Sequence, residues 1–311
     1  KIPSFNYIET LILFSENIID SLKYVVMESN PIKARRSLLF VPGNRLNLFP
    51  KAIKAGPDII CIDLEDSIPA EQKARARTEV LEFFKTTPSH LKIEVVMRIN
   101  SLQTHEGIQD IDGIMASSHP PLSIMVTKLD NAEEITLLDK LLSNTLLKKI
   151  RFHVIIETNS GLENVVSIAN SSDRIDCLLF GGVDMAAELR TTFDWESLLY
   201  SRSRIVHAAA SANIDSMDMP ALNIENLEEL QTTAKAASKL GFTGKAAIHP
   251  SHIAIINQCF SPDPQAVEEA RKVVAAYENS DNGLAVVDGK LLEKPFVRTM
   301  YRILALSKQG R

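Results

Sequence analysis

The sequence predicts an α/β fold, a closed (β/α)8 barrel, on two observations. Short apolar runs rich in β-branched residues recur along the chain, as in strands buried on both faces of a parallel sheet. Segments of helical spacing separate them. Eight such runs within about 220 residues suit a closed barrel. They are 37–42 (SLLFVP), 59–65 (IICIDLE), 94–100 (EVVMRIN), 123–128 (SIMVTK), 152–157 (FHVIIE), 177–183 (CLLFGGV), 214–219 (IDSMDM) and 245–249 (KAAIH). Helical spacing marks 70–84, 131–142, 195–212 and 224–240 between them. A doubly wound open sheet is the rival topology. No GxGxxG turn or GxxxxGK[ST] loop follows any strand, which removes its usual nucleotide-binding marks without excluding it.

Three segments follow from this pattern: an N-terminal extension over 1–34, a catalytic barrel over 35–262 and a C-terminal helical lid extension over 263–311. In the last, 264–276 reads as a helix, 280–290 as a turn-rich connection with a short hairpin, and 295–307 as a closing helix. The apolar run of the extension is interrupted by Glu9, Glu16 and Asp20, so it is too short to span a bilayer. It also lacks the basic start and small-residue cleavage site of a signal peptide. It reads as an amphipathic helix, or as preceding a natural start at Met27.

Composition narrows the partners. The net charge of −5, with Lys and Arg scattered, gives no electrostatic footprint for nucleic acid. Cys61, Cys177 and Cys259 form no CxxC or Cys/His zinc spacing. A sparse odd set of this kind fits a reducing, cytoplasmic setting. No membrane association is expected.

Active-site groups of a barrel gather at the C-terminal ends of its strands. Here those ends carry Asp63, Glu65 and Asp66 on the second strand, Arg98 and Asn100 on the third, and Lys128 on the fourth. Glu157 ends the fifth, Asp184 follows Gly181-Gly182 on the sixth, and His249 ends the eighth. Singly, each has a structural explanation: Asp66 and Asp184 as helix caps, Lys128 as a solvated strand end, His249 as a helix start. As a set they describe an acidic mouth. Carboxylates at adjacent strand ends make a site for Mg²⁺, which keeps several water ligands, and Arg98 offers a fork to a carboxylate. Aldolase, enolase-type and phosphate chemistry all fit that description.

The motifs RRSLLFVPGN, DLEDSIP, MRIN, IIETNSGL, FGGVDMAAEL and GKAAIHPS, in this order, resemble the citrate lyase β-subunit-like family of the HpcH/HpaI aldolase group. The resemblance runs from about Arg35 to the C-terminus. It implies a TIM barrel, Mg²⁺ as cofactor, and cleavage of malyl-, citramalyl- or citryl-type thioesters. It also implies that Glu157 and Asp184 bind the metal, with Glu157 beside the substrate, and that Arg98 binds substrate. By the same resemblance Asp63, Glu65 and Asp66 orient water and neighbouring groups. Arg36 and the Pro42-Gly43-Asn44 turn lie near the coenzyme A phosphates, Lys128 lies at the mouth, and His249-Pro250-Ser251 has a positioning role. The family's C-terminal aspartate, placed over a neighbouring subunit's site, is Glu293 here, within GKLLEKP.

The implied reaction is a retro-Claisen cleavage of a β-hydroxyacyl-CoA, with (3S)-citramalyl-CoA giving acetyl-CoA and pyruvate as the leading substrate. Glu293 is the expected acid that protonates the departing enolate. The alternatives are malyl-CoA cleavage, a citrate lyase β subunit acting on an acyl-carrier-protein thioester, a coenzyme A-independent hydroxy-acid aldolase, and a non-catalytic acyl-CoA or metal-binding protein. The closing helix presents Phe296, Met300, Ile303 and Leu304 on one face, from which a homo-oligomer, a trimer, is expected.

Overall fold

The computed structural model describes residues 33–86, 93–280, 285–287, 290–292 and 294–309. The N-terminal extension before residue 33 and Glu293 lie outside the described residues. The chain divides into two compact units, Arg35–Phe260 and a second holding the described residues from Ser261 onward.

In the first unit eight parallel strands close into a barrel in sequence order. They are β1 (Ser37–Pro42), β2 (Ile59–Asp63), β3 (Glu94–Arg98), β4 (Ser123–Val126), β5 (Arg151–Ile156), β6 (Ile175–Phe180), β7 (Asp215–Asp218) and β8 (Gly244–Ala247). The ring closes where β1 pairs β8, Leu38 beside Ala246. An open doubly wound sheet is thereby excluded. The α-helices around it are α1 (Phe49–Ala55), α2 (Lys73–Thr86), α3 (His105–Ala116), α4 (Ala132–Leu141), α5 (Asn159–Glu163) and α6 (Val165–Ala169). They continue with α7 (Gly182–Leu189), α8 (Leu199–Ser211), α9 (Leu227–Leu240) and α10 (Ile253–Phe260).

Alternation along each strand sorts the core into two layers. Leu38, Ile59, Cys61, Val96, Met125, Ile155, Cys177, Leu179, Met217 and Ala246 form one buried cluster made of strand residues alone, which fills the barrel. Their strand neighbours Leu39, Ile60, Ile62, Met97 and Val154 join helix residues such as Ala76, Ile111, Ile135 and Leu230 in the outer layer. The N-terminal end of the barrel is closed by charge. Arg35 pairs with Glu94 at 2.9 Å, Asp176 at 2.7 Å and Asp215 at 3.0 Å, and His153 Nε2 lies 3.0 Å from Glu94.

In the second unit α11 (Pro264–Glu278) and α12 (Lys294–Gln309) pack around a short antiparallel pair, β9 (Ala285–Val287) and β10 (Lys290–Leu292). Val297 and Met300 of α12 are buried with Ala270, Val273 and Val274 of α11, and Ile303 and Leu304 pack against them. Most of the apolar face expected to meet a neighbour is therefore covered within its own unit; Phe296 remains exposed. No helix among the described residues is long and apolar enough to cross a membrane.

Candidate active site

Asp63 and Arg98 are the last residues of their strands, and the other charged groups predicted on strand ends stand on the first residues of the βα loops. Asp63 is the last residue of β2 and is 1% exposed. Its Oδ1 accepts the Glu65 amide at 2.8 Å and its Oδ2 the Ser67 amide at 3.1 Å, which folds the DLEDS turn back over the strand end. Arg98, the last residue of β3, donates to the same carboxylate through Nε at 2.6 Å and Nη2 at 2.7 Å. Burial alone would raise the Asp63 carboxyl, but the Arg98 charge and these hydrogen bonds carry it below the ordinary aspartate range. The Arg98 fork, predicted for a substrate carboxylate, is thus closed on a protein carboxylate. Its Nη1 faces the loop, 2.9 Å from Glu65 Oε2 and 3.6 Å from Asp66 Oδ2. The guanidinium also lies over the Phe40 ring, 4.9 Å from its centroid.

Glu65 is 5% exposed and sits between two cations. Its Oε1 accepts from Lys128 Nζ at 2.7 Å. Its buried Oε2 lies 2.9 Å from Arg98 Nη1, an ion pair without a hydrogen bond. Burial holds the Glu65 carboxyl above its ordinary value against the pull of Arg98 and Lys128. Asp66 is more exposed and 3.5 Å from Lys128 Nζ. It does not cap the next helix, whose N-cap position is Pro69.

Lys128 follows β4 with a left-handed backbone, φ +53°. Its amide donates to Glu157 Oε1 at 2.9 Å while its ammonium reaches Glu65. Glu157, one residue beyond β5 and 3% exposed, is buried beside the β6 turn. A Cβ at Gly181 would lie 2.6 Å from Glu157 Oε2, so only glycine lets that turn approach the carboxylate. Asp184 stands in the first turn of α7, not at its cap, which is Gly181. Burial, with the charges of Glu65 and Asp184, pushes the Glu157 carboxyl up to about 8.

That electrostatic state tests the fit of a cation. Among the described residues neither Glu157 nor Asp184 has an ion-pair partner within 4.0 Å. They are hard oxygen donors whose mutual repulsion a divalent cation would relieve. No group of three or more His, Cys, Asp or Glu side chains arranged to hold a metal occurs among the described residues. Two carboxylates with water completing the shell is the pattern Mg²⁺ tolerates. The donor set therefore fits Mg²⁺.

Arg36 is not part of this constellation. It precedes β1, at the opposite end of the barrel, and pairs with Asp58 ahead of β2, Nη2 to Oδ1 at 2.8 Å and Nε to Oδ2 at 2.8 Å. Arg36, expected near the coenzyme A phosphates, thus stands ahead of β1, held by Asp58 and apart from the groups at the strand ends. A strand carries its two ends to opposite faces, and Arg36 stands before the strand whose far end is Pro42. His249 lies just past β8 and caps the following turn, its Nδ1 accepting the Ser251 amide at 3.3 Å.

Two supports went unnoticed in the sequence. Lys73 of α2 donates to the Glu65 carbonyl at 2.9 Å and the Leu64 carbonyl at 3.2 Å, and contacts Asn100 Oδ1. Asp110 of α3 accepts from the Asn100 amide at 2.8 Å and from Arg77 Nε at 2.6 Å. Asp110 shares helical spacing with the buried Gly107, Ile111 and Ile114. That position on an apolar face was its available signal; Lys73 offered none.

Comparison with known proteins gives the family and the fold. Residues 36–250 match the family model described as HpcH/HpaI aldolase/citrate lyase. The chain is 30% identical over 292 residues to the citrate lyase subunit beta of Leuconostoc mesenteroides subsp. cremoris, covering 89% of this chain and 95% of that one. It is 30% identical over 291 residues to an L-malyl-CoA/beta-methylmalyl-CoA lyase of Cereibacter sphaeroides, covering 85% and 91%. A solved citrate lyase beta subunit of M. tuberculosis complexed with oxaloacetate and magnesium superposes with a TM-score of 0.63 at 26% identity, covering 74% of this chain and 98% of that one.

Proposed function

The chain belongs to the HpcH/HpaI aldolase/citrate lyase family, whose relatives are named carbon–carbon lyases, and from that premise we propose that it is a Mg²⁺-dependent lyase of a β-hydroxyacyl thioester of coenzyme A. The observation that carries the reading is the pair Glu157 and Asp184. Two carboxylates on adjacent βα turns, one of them buried, have no ion-pair partner among the described residues.

In this reading Glu157 and Asp184 hold the metal. Bound Mg²⁺ would supply Lewis-acid stabilisation of the charge that develops on the substrate hydroxyl oxygen as it becomes a carbonyl. The chain's own residues do the rest. Arg98, its fork fixed by Asp63, contributes positive charge through Nη1 at the edge of the site rather than a bidentate clamp. Asp63 orients that guanidinium, and Glu65 and Asp66 hold Lys128. The enolate of acetyl-CoA that departs must gain a proton, and Glu293 is the proposed donor. Among thioesters (3S)-citramalyl-CoA is the proposed substrate, yielding acetyl-CoA and pyruvate, with malyl-CoA next. A pocket that tells them apart by one methyl group supplies only about 1–3 kcal/mol. A homotrimer and a cytoplasmic location complete the proposal.

Incubating the protein with Mg²⁺ and a panel of hydroxyacyl-CoAs, and identifying the keto acid released, tests it. Release of pyruvate from citramalyl-CoA is expected; full turnover in excess EDTA would overturn the metal reading. The similarity to a citrate lyase subunit beta over nearly its whole length favours one second reading, a subunit acting on an acyl-carrier-protein thioester. Co-purification with two further subunits would support it.

A further inference from the structure

Lys128 touches the carboxylates of the mouth with two different parts of itself, its ammonium also lying 3.5 Å from Asp66. Its amide fixes Glu157 Oε1 at 2.9 Å and its ammonium fixes Glu65 Oε1 at 2.7 Å. The first contact depends on an uncommon backbone. A φ of +53° puts a lysine in the left-handed region, which costs a non-glycine residue on the order of 1 kcal/mol or more. Such a conformation persists only where its surroundings impose it, and here they do. Thr158 Oγ1 donates to the Leu129 carbonyl at 3.0 Å, and Asn164 Nδ2 to the Asp130 carbonyl at 2.8 Å. Gly161 lets the two loops meet, since a Cβ there would lie 2.4 Å from the Leu129 oxygen. The loop that carries Lys128 is thus fastened to the loop that carries Glu157.

The consequence concerns Glu65. It is buried, its charge is felt by Glu157, its Oε2 faces Arg98 Nη1 at 2.9 Å, and its Oε1 is held by the Lys128 ammonium. An Oε1 freed from that ammonium is a ready third ligand for any cation at Glu157 and Asp184. Each added carboxylate tightens Mg²⁺ and displaces a water or a substrate oxygen from its six-fold shell. We propose that Lys128 is a positioning residue that withholds Glu65 from this cation: its amide anchors Glu157, its ammonium anchors Glu65, and the separation it enforces keeps coordination positions open for substrate. This inference rests on the cation site proposed above.

Magnesium chloride titrated calorimetrically into the full-length protein, after EDTA treatment and dialysis, separates the two. Lys128→Gly keeps the amide and the left-handed backbone but removes the ammonium, and Lys128→Met removes the charge alone. Both are expected to bind Mg²⁺ about tenfold more tightly than the parent while kcat falls, with the melting temperature little changed. Lys128→Arg should return both values toward the parent. In a Glu65→Gln background, Lys128→Met should leave the Mg²⁺ affinity unchanged, because the oxygen it would release is no longer a carboxylate. Tightening that persists in that background would be a simple loss of positive charge and overturns the role given to Glu65. Unchanged affinity in both single variants overturns the inference while leaving the cation site standing. No binding by the parent overturns the site and the inference together.

Discussion

Arg98 grips Asp63 by two parallel hydrogen bonds, Nε to Oδ1 at 2.6 Å and Nη2 to Oδ2 at 2.7 Å, with the carboxylate 1% exposed. A pair this deep is not a source of net stability so much as a commitment. Removing one member leaves the other buried and uncompensated, at a cost of about 3–5 kcal/mol. Asp63→Ala is therefore expected to lower stability by that amount in urea denaturation. It should also lower kcat/KM, because Arg98 loses its orientation. Asp63→Asn, which keeps one acceptor, should fall between.

Removing the candidate metal carboxylates should separate chemistry from folding. Glu157→Gln or Asp184→Asn is expected to lower turnover on the order of 10³-fold. The melting temperature of the Glu157→Gln protein should hold or rise. The parent carboxyl is already pushed up to about 8 by burial and by its acidic neighbours, so a neutral isostere relieves repulsion. A large fall in melting temperature with normal Mg²⁺ binding would sink the assignment.

The charged floor of the barrel gives a pH prediction. Burial would raise the Glu94 carboxyl, but His153 and Arg35 together hold it well below the ordinary glutamate value of 4.5. In that range the unfolded chain binds a proton that the folded one does not, so stability rises with pH. The contribution is complete above 4.5 and is lost as the pH falls through the folded value. Glu94→Gln should be less stable than the parent at pH 7, and the gap should close as the solution is acidified below 4.5. Denaturation curves at several pH values check it.

Much of this architecture was legible because a strand buried on both faces leaves an unbroken apolar run, and β1 (SLLFVP) matches its expected bounds. The strand ends were overestimated, since Leu64, Thr127 and Ile99 continue the apolar pattern in loops that are themselves buried. The helix α3 went unread because Gly107 and Gly113 interrupt its spacing. Gly107 is required where a Cβ would meet the Ser101 carbonyl at 2.0 Å. The gathering of acids at the mouth could be read from the barrel rule; the closure of Arg98 on Asp63, a pair across the register of β2 and β3, and the left-handed turn at Lys128, fastened to the loop after β5, could not, because both join segments distant in sequence.

Arg36 supplies a negative control. It is held by Asp58 at the end of the barrel away from the site. Arg36→Gln should lower the melting temperature and leave the KM for the thioester as it is. A raised KM with unchanged melting would return this arginine to the binding surface.

Glu293 is the remaining test, and its position in the sequence sets two readings against each other. It falls between the end of β10 at Leu292 and the start of α12 at Lys294. A negative charge just ahead of a helix is favourable by a few tenths of a kcal/mol at an exposed site, roughly 0.3–1 at most. On that reading Glu293→Gln changes stability slightly and leaves kcat alone. If Glu293 instead protonates the enolate, the interaction exists only in the transition state, and kcat and kcat/KM fall together. Glu293→Asp then keeps much of the activity, since the acid is retained and only a methylene is lost. A displacement of about 1 Å matters in such a step, so the aspartate variant reports whether the longer side chain is tuned to this site. An unchanged kcat in the glutamine variant assigns Glu293 to the helix start and moves the search for the acid to Asp288.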